Sequence, residues 1–182
     1  MRNRVVAFFN IVHIALVYLA QILMILMVLI IFTNVVLRYV FNSGLMWSEE
    51  VALLLAVWFI FIAMSIGVKQ DLHINISVLP QKILKPFVLT LLNKIKNIVV
   101  CLIAVVMLID GWKLVQFTMT SIMPATKLPA GYLYAILPIS AVIMIYESLM
   151  DFFHIDTNDE AVDAFLSGNG SFAAVVKGAH RG

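Results

Sequence analysis

From Val5 to Leu37 the chain runs for 33 residues without one Asp, Glu, Lys or Arg. Hydrocarbon offers no water to its backbone N–H and C=O groups, so a stretch that crosses it must satisfy them internally as a helix. At 1.5 Å per residue this helix is about 50 Å long, against a hydrocarbon core of roughly 30 Å. It must therefore tilt or project beyond the bilayer. The MRNR that precedes it resembles the basic start of a signal peptide. The run is far too long for a cleavable apolar core and has no convincing small-residue cleavage site, so it is expected to be a retained helix.

Three further runs, Val51–Val68, Phe87–Ile109 and Leu128–Tyr146, are uncharged or nearly so and long enough to cross a bilayer, although Lys94 and Lys96 fall within the first half of the second of these. With 63% of residues apolar and 12% charged, the chain belongs to the membrane class. The expected fold is an all-α integral membrane protein with four transmembrane helices, over about 11–37, 51–68, 87–109 and 128–150. These form a membrane domain, 1–152, followed by a cytoplasmic tail, 153–182, acidic and then rich in Gly, Ser and Ala, with no sustained period.

Four spans put both termini on one side. Arg2, Arg4, Lys69, Lys82, Lys85, Lys94, Lys96, Lys177 and Arg181 fall on the side of the termini, and Arg38, Lys113 and Lys127 on the other. Nine against three predicts cytoplasmic termini. The outer side then carries two loops, the hairpin after Leu37 and the segment Asp110–Lys127. In the second, Pro124, Pro129 and Gly131 predict a tight turn before the fourth span, and Tyr132 and Tyr134 fit an interfacial aromatic belt. Pro138 predicts a kink in the outer half of that span.

The inner loop is patterned. Between Ile83 and Ile95 the residues Ile83, Leu84, Phe87, Val88, Leu91, Leu92 and Ile95 recur at helical spacing, with Lys82, Lys85 and Lys96 on another face. An amphipathic helix lying in the cytoplasmic interface, Lys94 included, is expected between spans two and three. The alternative is that Phe87 simply begins the third span, with its lysines snorkelling. His73, just upstream, has the placement of an interfacial hydrogen-bonding residue.

Chemistry concentrates in the outer hairpin, LRYVFNSGLMWSEE. Ser48 has a hydroxyl suited to capping, and Glu49 and Glu50 sit at the positive end of the helix that follows. Asn34 and Arg38, four apart, share a face of the first helix. An ion pair between Arg38 and one Glu would tie spans one and two together. An acidic surface for an external partner is the other use of these residues, and the sequence leaves both open. Elsewhere the catalytic and cofactor signatures are missing. Mid-span positions carry no Asp, Glu or Arg, the four histidines do not pair at one depth for haem, and Cys101 is the single cysteine. There is no metal-protease, nucleophile-elbow or phosphate-loop motif. No catalytic residue, cofactor, metal or nucleic-acid partner is expected for this chain.

With these residues in view, the chain resembles the small membrane subunit (Q subunit, DctQ-like family) of tripartite ATP-independent periplasmic (TRAP) transporters. The resemblance covers about residues 10–152. It is carried by Arg38 with Trp47–Glu50 (WSEE), by His73 with Ile74 after the second span, and by LPAGYLYAILPI, where Pro129, Tyr134 and Pro138 match the family's positions. The tail beyond Asp151 has no counterpart. The resemblance implies a P-type periplasmic solute-binding protein that captures a carboxylate solute, such as sialic acid or a C4-dicarboxylate. It implies an M-type large subunit that carries solute and sodium through a bacterial inner membrane by an elevator motion. The small subunit would brace the fixed part of that partner, with lipid around it, and would bind no sodium itself. A stand-alone four-span exporter and a membrane scaffold unconnected with transport are the alternatives.

Overall fold

The computed structural model describes residues 2–69, 86–152 and 159–168, and these are mostly helical. In chain order they form α1 (Arg2–Val40), α2 (Ser48–Lys69), α3 (Pro86–Thr118), α4 (Gly131–Tyr134), α5 (Ile136–Phe152) and α6 (Asp159–Leu166). Four stretches are long and apolar enough to cross a membrane: Phe8–Val40, Ser48–Val68, Lys94–Thr118 and Gly131–Phe152, the last combining α4 and α5. The four-span expectation therefore holds.

The boundaries moved in one informative place. The expected outer loop began at Asp110, but α3 continues to Thr118. The seam that holds α3 to α5 runs on through Gly111 and Val115, both buried. Asp110 and Lys113, read as loop charges, are a helical i,i+3 pair at 2.9 Å on the exposed face.

The spans form a row. α1 lies against α2, α2 against α5, and α5 against α3, and no packing of α1 on α3 is seen among the described residues. The middle of the row is apolar: Ala20 and Leu23 of α1, Leu55 and Ile62 of α2, and Ile136 of α5 form one buried cluster, with Ile62 only 1% exposed. At the edges, α1 and α3 each bury a narrow stripe and leave large apolar residues such as Phe8, Ile22, Phe32, Leu102 and Val106 exposed. In a membrane such faces meet lipid tails or another protein.

The seam between α3 and α5 rests on small residues that let two backbones approach. Ala104 and Ala141 are fully buried. A Cβ on Gly111 would lie 3.1 Å from the Leu137 Cβ, and one on Gly131 would lie 3.0 Å from the Val115 carbonyl oxygen and 2.8 Å from the Met119 sulfur. At the end away from the α1–α2 hairpin, called inner for the orientation that the basic residues predict, the seam turns polar. Asn97 Nδ2 donates to Asp151 Oδ2 at 2.6 Å, and Ser148 Oγ donates to the Asn97 carbonyl at 2.7 Å.

Lys94 and Lys96 sit at this inner end. Lys96 reaches Asp151 at 3.5 Å and Lys94 stands 5.9 Å above the Phe152 ring. From Pro86 the backbone is already part of α3, so Phe87 lies in the first turn of the helix that becomes the third span. No separate interfacial helix is seen among the described residues; Lys82, Lys85 and His73 lie outside them.

The tail contains a helix that its reading as an unpatterned segment did not anticipate. Val162 of α6 is 1% exposed and packs with Phe165 and Leu166 on Ile14 of α1. Gly168, at φ 80°, ends the helix, and its N–H reaches the Phe165 carbonyl at 3.1 Å. The signal was present as Val162, Phe165 and Leu166 at i, i+3, i+4 before a Ser-Gly stop.

The contact at Gly131 leads to a stability prediction. Gly131→Val should lower the unfolding free energy of the detergent-solubilised chain by about 1–3 kcal/mol, because a branched side chain must displace the α3 backbone or Met119. Thermal unfolding followed by tryptophan fluorescence checks this, and an unchanged midpoint would contradict the close approach.

Candidate functional site

The end of the molecule that carries the α1–α2 hairpin, called outer for the orientation that the basic residues predict, is built from two loops. α1 stops at Val40, and the N–H groups of Phe41 and Ser43 both turn back to the Leu37 carbonyl, at 3.1 and 3.0 Å. Asn42 makes that reversal with φ 50°, a left-handed conformation that Asn tolerates better than most residues. Asn34 then fixes the hairpin, its Oδ1 accepting from the Leu45 N–H at 2.8 Å. Ser48 does not cap α2 by accepting a bond. Its buried hydroxyl donates to the Leu45 carbonyl at 2.7 Å, closing the turn that precedes the helix.

The second loop, between α3 and α4, is a short antiparallel excursion. Ile122 bridges Pro129, Met123 N–H donates to the Leu128 carbonyl at 2.9 Å, and Ala130 N–H donates to the Ser121 carbonyl at 2.7 Å. At the tip Lys127 takes φ 60°. That geometry leaves the successive N–H groups of Ala125 and Thr126 directed to one acceptor, a small anion-binding concavity.

Glu50 fills it. One carboxylate oxygen accepts from Ala125 N–H at 2.8 Å, and the other accepts from Thr126 N–H and from the Thr126 hydroxyl, both at 2.7 Å. These are charge-assisted bonds between the first turn of α2 and a loop 75 residues away. Two turns further along the same helix, Trp58 Nε1 donates to the Tyr132 carbonyl at 3.0 Å. Positions 50, 54 and 58 lie on one face, so a single side of α2 grips both the loop and the start of the fourth span.

The fourth span needs this grip because it is broken. Pro138 has no N–H to give the Tyr134 carbonyl and its ring crowds that group, so the helix is interrupted at Ala135, between α4 and α5. Ala135 keeps helical dihedrals, φ −59° and ψ −23°, so what Pro138 produces is a break in the helix hydrogen bonding one turn before it. Pro129 forms the bridge to Ile122 and its carbonyl accepts from Tyr132 N–H at 3.2 Å. Tyr134 closes α4, half-buried.

Arg38, Trp47 and Glu49 occupy the other side of the hairpin. Trp47 is exposed and belongs to the turn before α2. Arg38 and Glu49 line one cleft of about 360 Å³ with Asn34, Asn42, Leu45 and Met46. Among the described residues neither Arg38 nor Glu49 forms an ion pair. The two glutamates thus separate, Glu50 into the loop and Glu49 toward Arg38's cleft. Trp58 and the Ala125–Thr126 backbone were not singled out from sequence. Trp58 carried one usable sign, an indole N–H eight residues after Glu50 inside an apolar run.

This outer frame, the second, third and fourth spans and the hairpin end of the first lie within the region matched by a known family. The DctQ component of tripartite ATP-independent periplasmic transporters matches residues 27–157. The chain belongs to this family. A Haemophilus influenzae protein described as a TRAP transporter small permease is 31% identical over 109 residues, covering 60% of this chain and 67% of that protein. A second from the same organism is 29% identical over 146 residues, 76% and 86% of the two chains. A Vibrio cholerae C4-dicarboxylate TRAP transporter small permease, DctQ, is 32% identical over 87 residues, 47% of this chain and 37% of that protein. This DctQ component is thus a multi-pass membrane subunit of a TRAP transporter, a transport family in which several proteins work together. Its α6 begins beyond the matched region.

Two substitutions test the grip of α2. Glu50→Gln should speed hydrogen exchange at the Ala125 and Thr126 amides relative to the neighbouring loop, because a neutral amide cannot serve the same donors as a charged carboxylate; unchanged exchange would contradict the assignment. Trp58→Phe keeps an aromatic side chain but removes the donor and part of the indole's packing, and should cost at least about 0.5–1.5 kcal/mol in thermal unfolding.

Proposed function

We propose that this DctQ component is the stationary frame of a sodium-coupled uptake system for carboxylate solutes, C4-dicarboxylates or sialic acid among them. It pairs in the bacterial inner membrane with a large M-type subunit that moves solute and sodium. A periplasmic solute-binding protein delivers the solute to their outer face. Both termini are cytoplasmic, in keeping with the nine-to-three distribution of basic residues. Sodium binds in the partner, and this chain carries no cofactor.

The observation that supports a frame is the tied row of spans. Glu50 and Trp58 fasten α2 to the loop and to the broken fourth span, while the hydroxyls of Ser65 and Ser140 are satisfied by their own helices. Ser65 Oγ donates to the Ile62 carbonyl at 2.8 Å and Ser140 Oγ to the Leu137 carbonyl at 3.0 Å. Ion-carrying transporters instead aim ionisable groups or unwound backbone into the mid-membrane. Here Glu49, Glu50, Glu147 and Asp151 lie toward the span ends, and Asp110, inside the third span, is paired with Lys113 on its exposed face. The exposed apolar faces of α1 and α3 give a frame surface to offer a membrane partner. The Vibrio cholerae relative, named for C4-dicarboxylate, supports the solute class.

Reconstitution tests this. Liposomes holding this chain and its large subunit should accumulate a carboxylate solute only with an inward sodium gradient and added binding protein. The large subunit alone should be inactive, and Glu50→Lys should lower uptake while the complex still assembles. Equal uptake without this chain would refute the frame, and uptake by this chain alone would favour a stand-alone transporter.

A further inference from the structure

The cleft beside the α1–α2 hairpin is not used by the frame. We propose that it binds the headgroup of a zwitterionic aminophospholipid of the outer leaflet, with Arg38 on the phosphate and Glu49 on the ammonium. The inference stands apart from the transport reading, since it rests on the hairpin's own residues, and it takes from that reading only the orientation that names the leaflet.

Three observations carry it. The cleft, about 360 Å³, brings together one cation and one carboxylate that do not pair with each other. Its volume lies at the lower end of the roughly 300–1,000 Å³ typical of small-ligand sites. Glu50, which could have neutralised Arg38, is fully engaged by the Ala125–Thr126 loop. The Arg38 guanidinium is a planar fork that matches a phosphate, and Asn34, whose Oδ1 already accepts from Leu45, has its NH2 group as the donor end.

The second observation is depth. Arg38 lies in the last turn of one span and Glu49 in the first turn of the next, the level at which lipid phosphates lie beside helix ends. The third is the rim. Tyr39, Phe41, Met46 and Trp47 are all exposed, Met46 by 87%. Apolar and aromatic groups around a charged cleft suit a ligand with a polar head and an acyl body.

Charge complementarity selects the class of lipid. An anionic headgroup such as phosphatidylglycerol satisfies Arg38 but meets the Glu49 carboxylate without a cation, and an acidic protein surface has the same defect. Phosphoethanolamine supplies both signs on one headgroup, its phosphate and its ammonium joined by two methylene groups. A soluble phosphate would use Arg38 alone and leave the apolar rim without a function.

The test is competitive lipid retention. The full-length chain in detergent is titrated with phosphatidylethanolamine or phosphatidylglycerol of identical acyl chains, with and without inorganic phosphate, and adducts are counted by native mass spectrometry. Wild type should retain phosphatidylethanolamine in preference to phosphatidylglycerol, and inorganic phosphate should not displace it. Arg38→Gln should weaken retention of both lipids about tenfold, the size of one lost charge-assisted contact. Arg38→Lys should recover part of it, which separates lost charge from lost fold. Glu49→Gln should abolish the preference, and Lys113→Gln, on the exposed face of α3, should change nothing. Wild-type retention in Arg38→Gln, or an intact preference in Glu49→Gln, would overturn the proposal. Displacement by inorganic phosphate would overturn it in favour of a soluble-anion site. Unaltered lipid binding together with loss of binding-protein docking in these variants would overturn it in favour of a protein contact.

Discussion

Two successive backbone N–H groups at the tip of an outer loop need an acceptor, and Glu50 supplies it from the first turn of α2. The contact joins segments 75 residues apart in sequence. Without it, the α1–α2 hairpin and the α3–α5 pair would be joined mainly by apolar contact, which is weakly directional in a lipid environment where tails compete equally well. Trp58 adds a second polar contact eight residues, or about 12 Å, down the same helix. Two such points along one axis restrict both sliding and rotation of α2 against the fourth span.

The rest of the architecture follows from that fastening. Because α2 is tied to the broken fourth span, α2 and α5 become the centre of the row, with α1 and α3 as its edges. The inner end is closed separately by Asn97, Ser148 and Asp151. Polar bonds thus sit at the two ends of the row and at Trp58, and apolar packing fills most of the rest. Such a distribution suits a part that holds its shape while another protein moves, and ill suits one that carries an ion across. Placing α6 on Ile14 adds a further contact at the N-terminal half of α1, outside the segment shared with the DctQ family.

Much of this was legible in the sequence, for identifiable reasons. The four spans follow from apolar runs that must be helical in lipid, and the interruption near Ala135 follows from Pro138, since a missing donor acts at a fixed distance of four residues. The outer hairpin was recognisable by its clustered charges. The partner of Glu50 was not, because the groups it binds are backbone amides, which every residue carries and which only a particular turn aims at one point. The nearest cation, Arg38, drew attention by charge alone. Trp58 was hidden in the same way, its donor lying inside an apolar run whose composition explains itself. α6 was overlooked although Val162, Phe165 and Leu166 gave its period, because eight residues of helix make little impression beside spans three times as long.

The central claim is that Glu50 holds the outer ends of the two halves of the row at a fixed separation. Pulsed electron paramagnetic resonance between spin labels at Met46→Cys and Lys127→Cys, in a Cys101→Ser background and with the large subunit bound, measures that separation directly. The account predicts one narrow distance distribution that does not shift when sodium and solute are added and that broadens when Glu50 is replaced by Gln. A separation that changes with sodium and solute, or a distribution equally narrow without the Glu50 carboxylate, would contradict it.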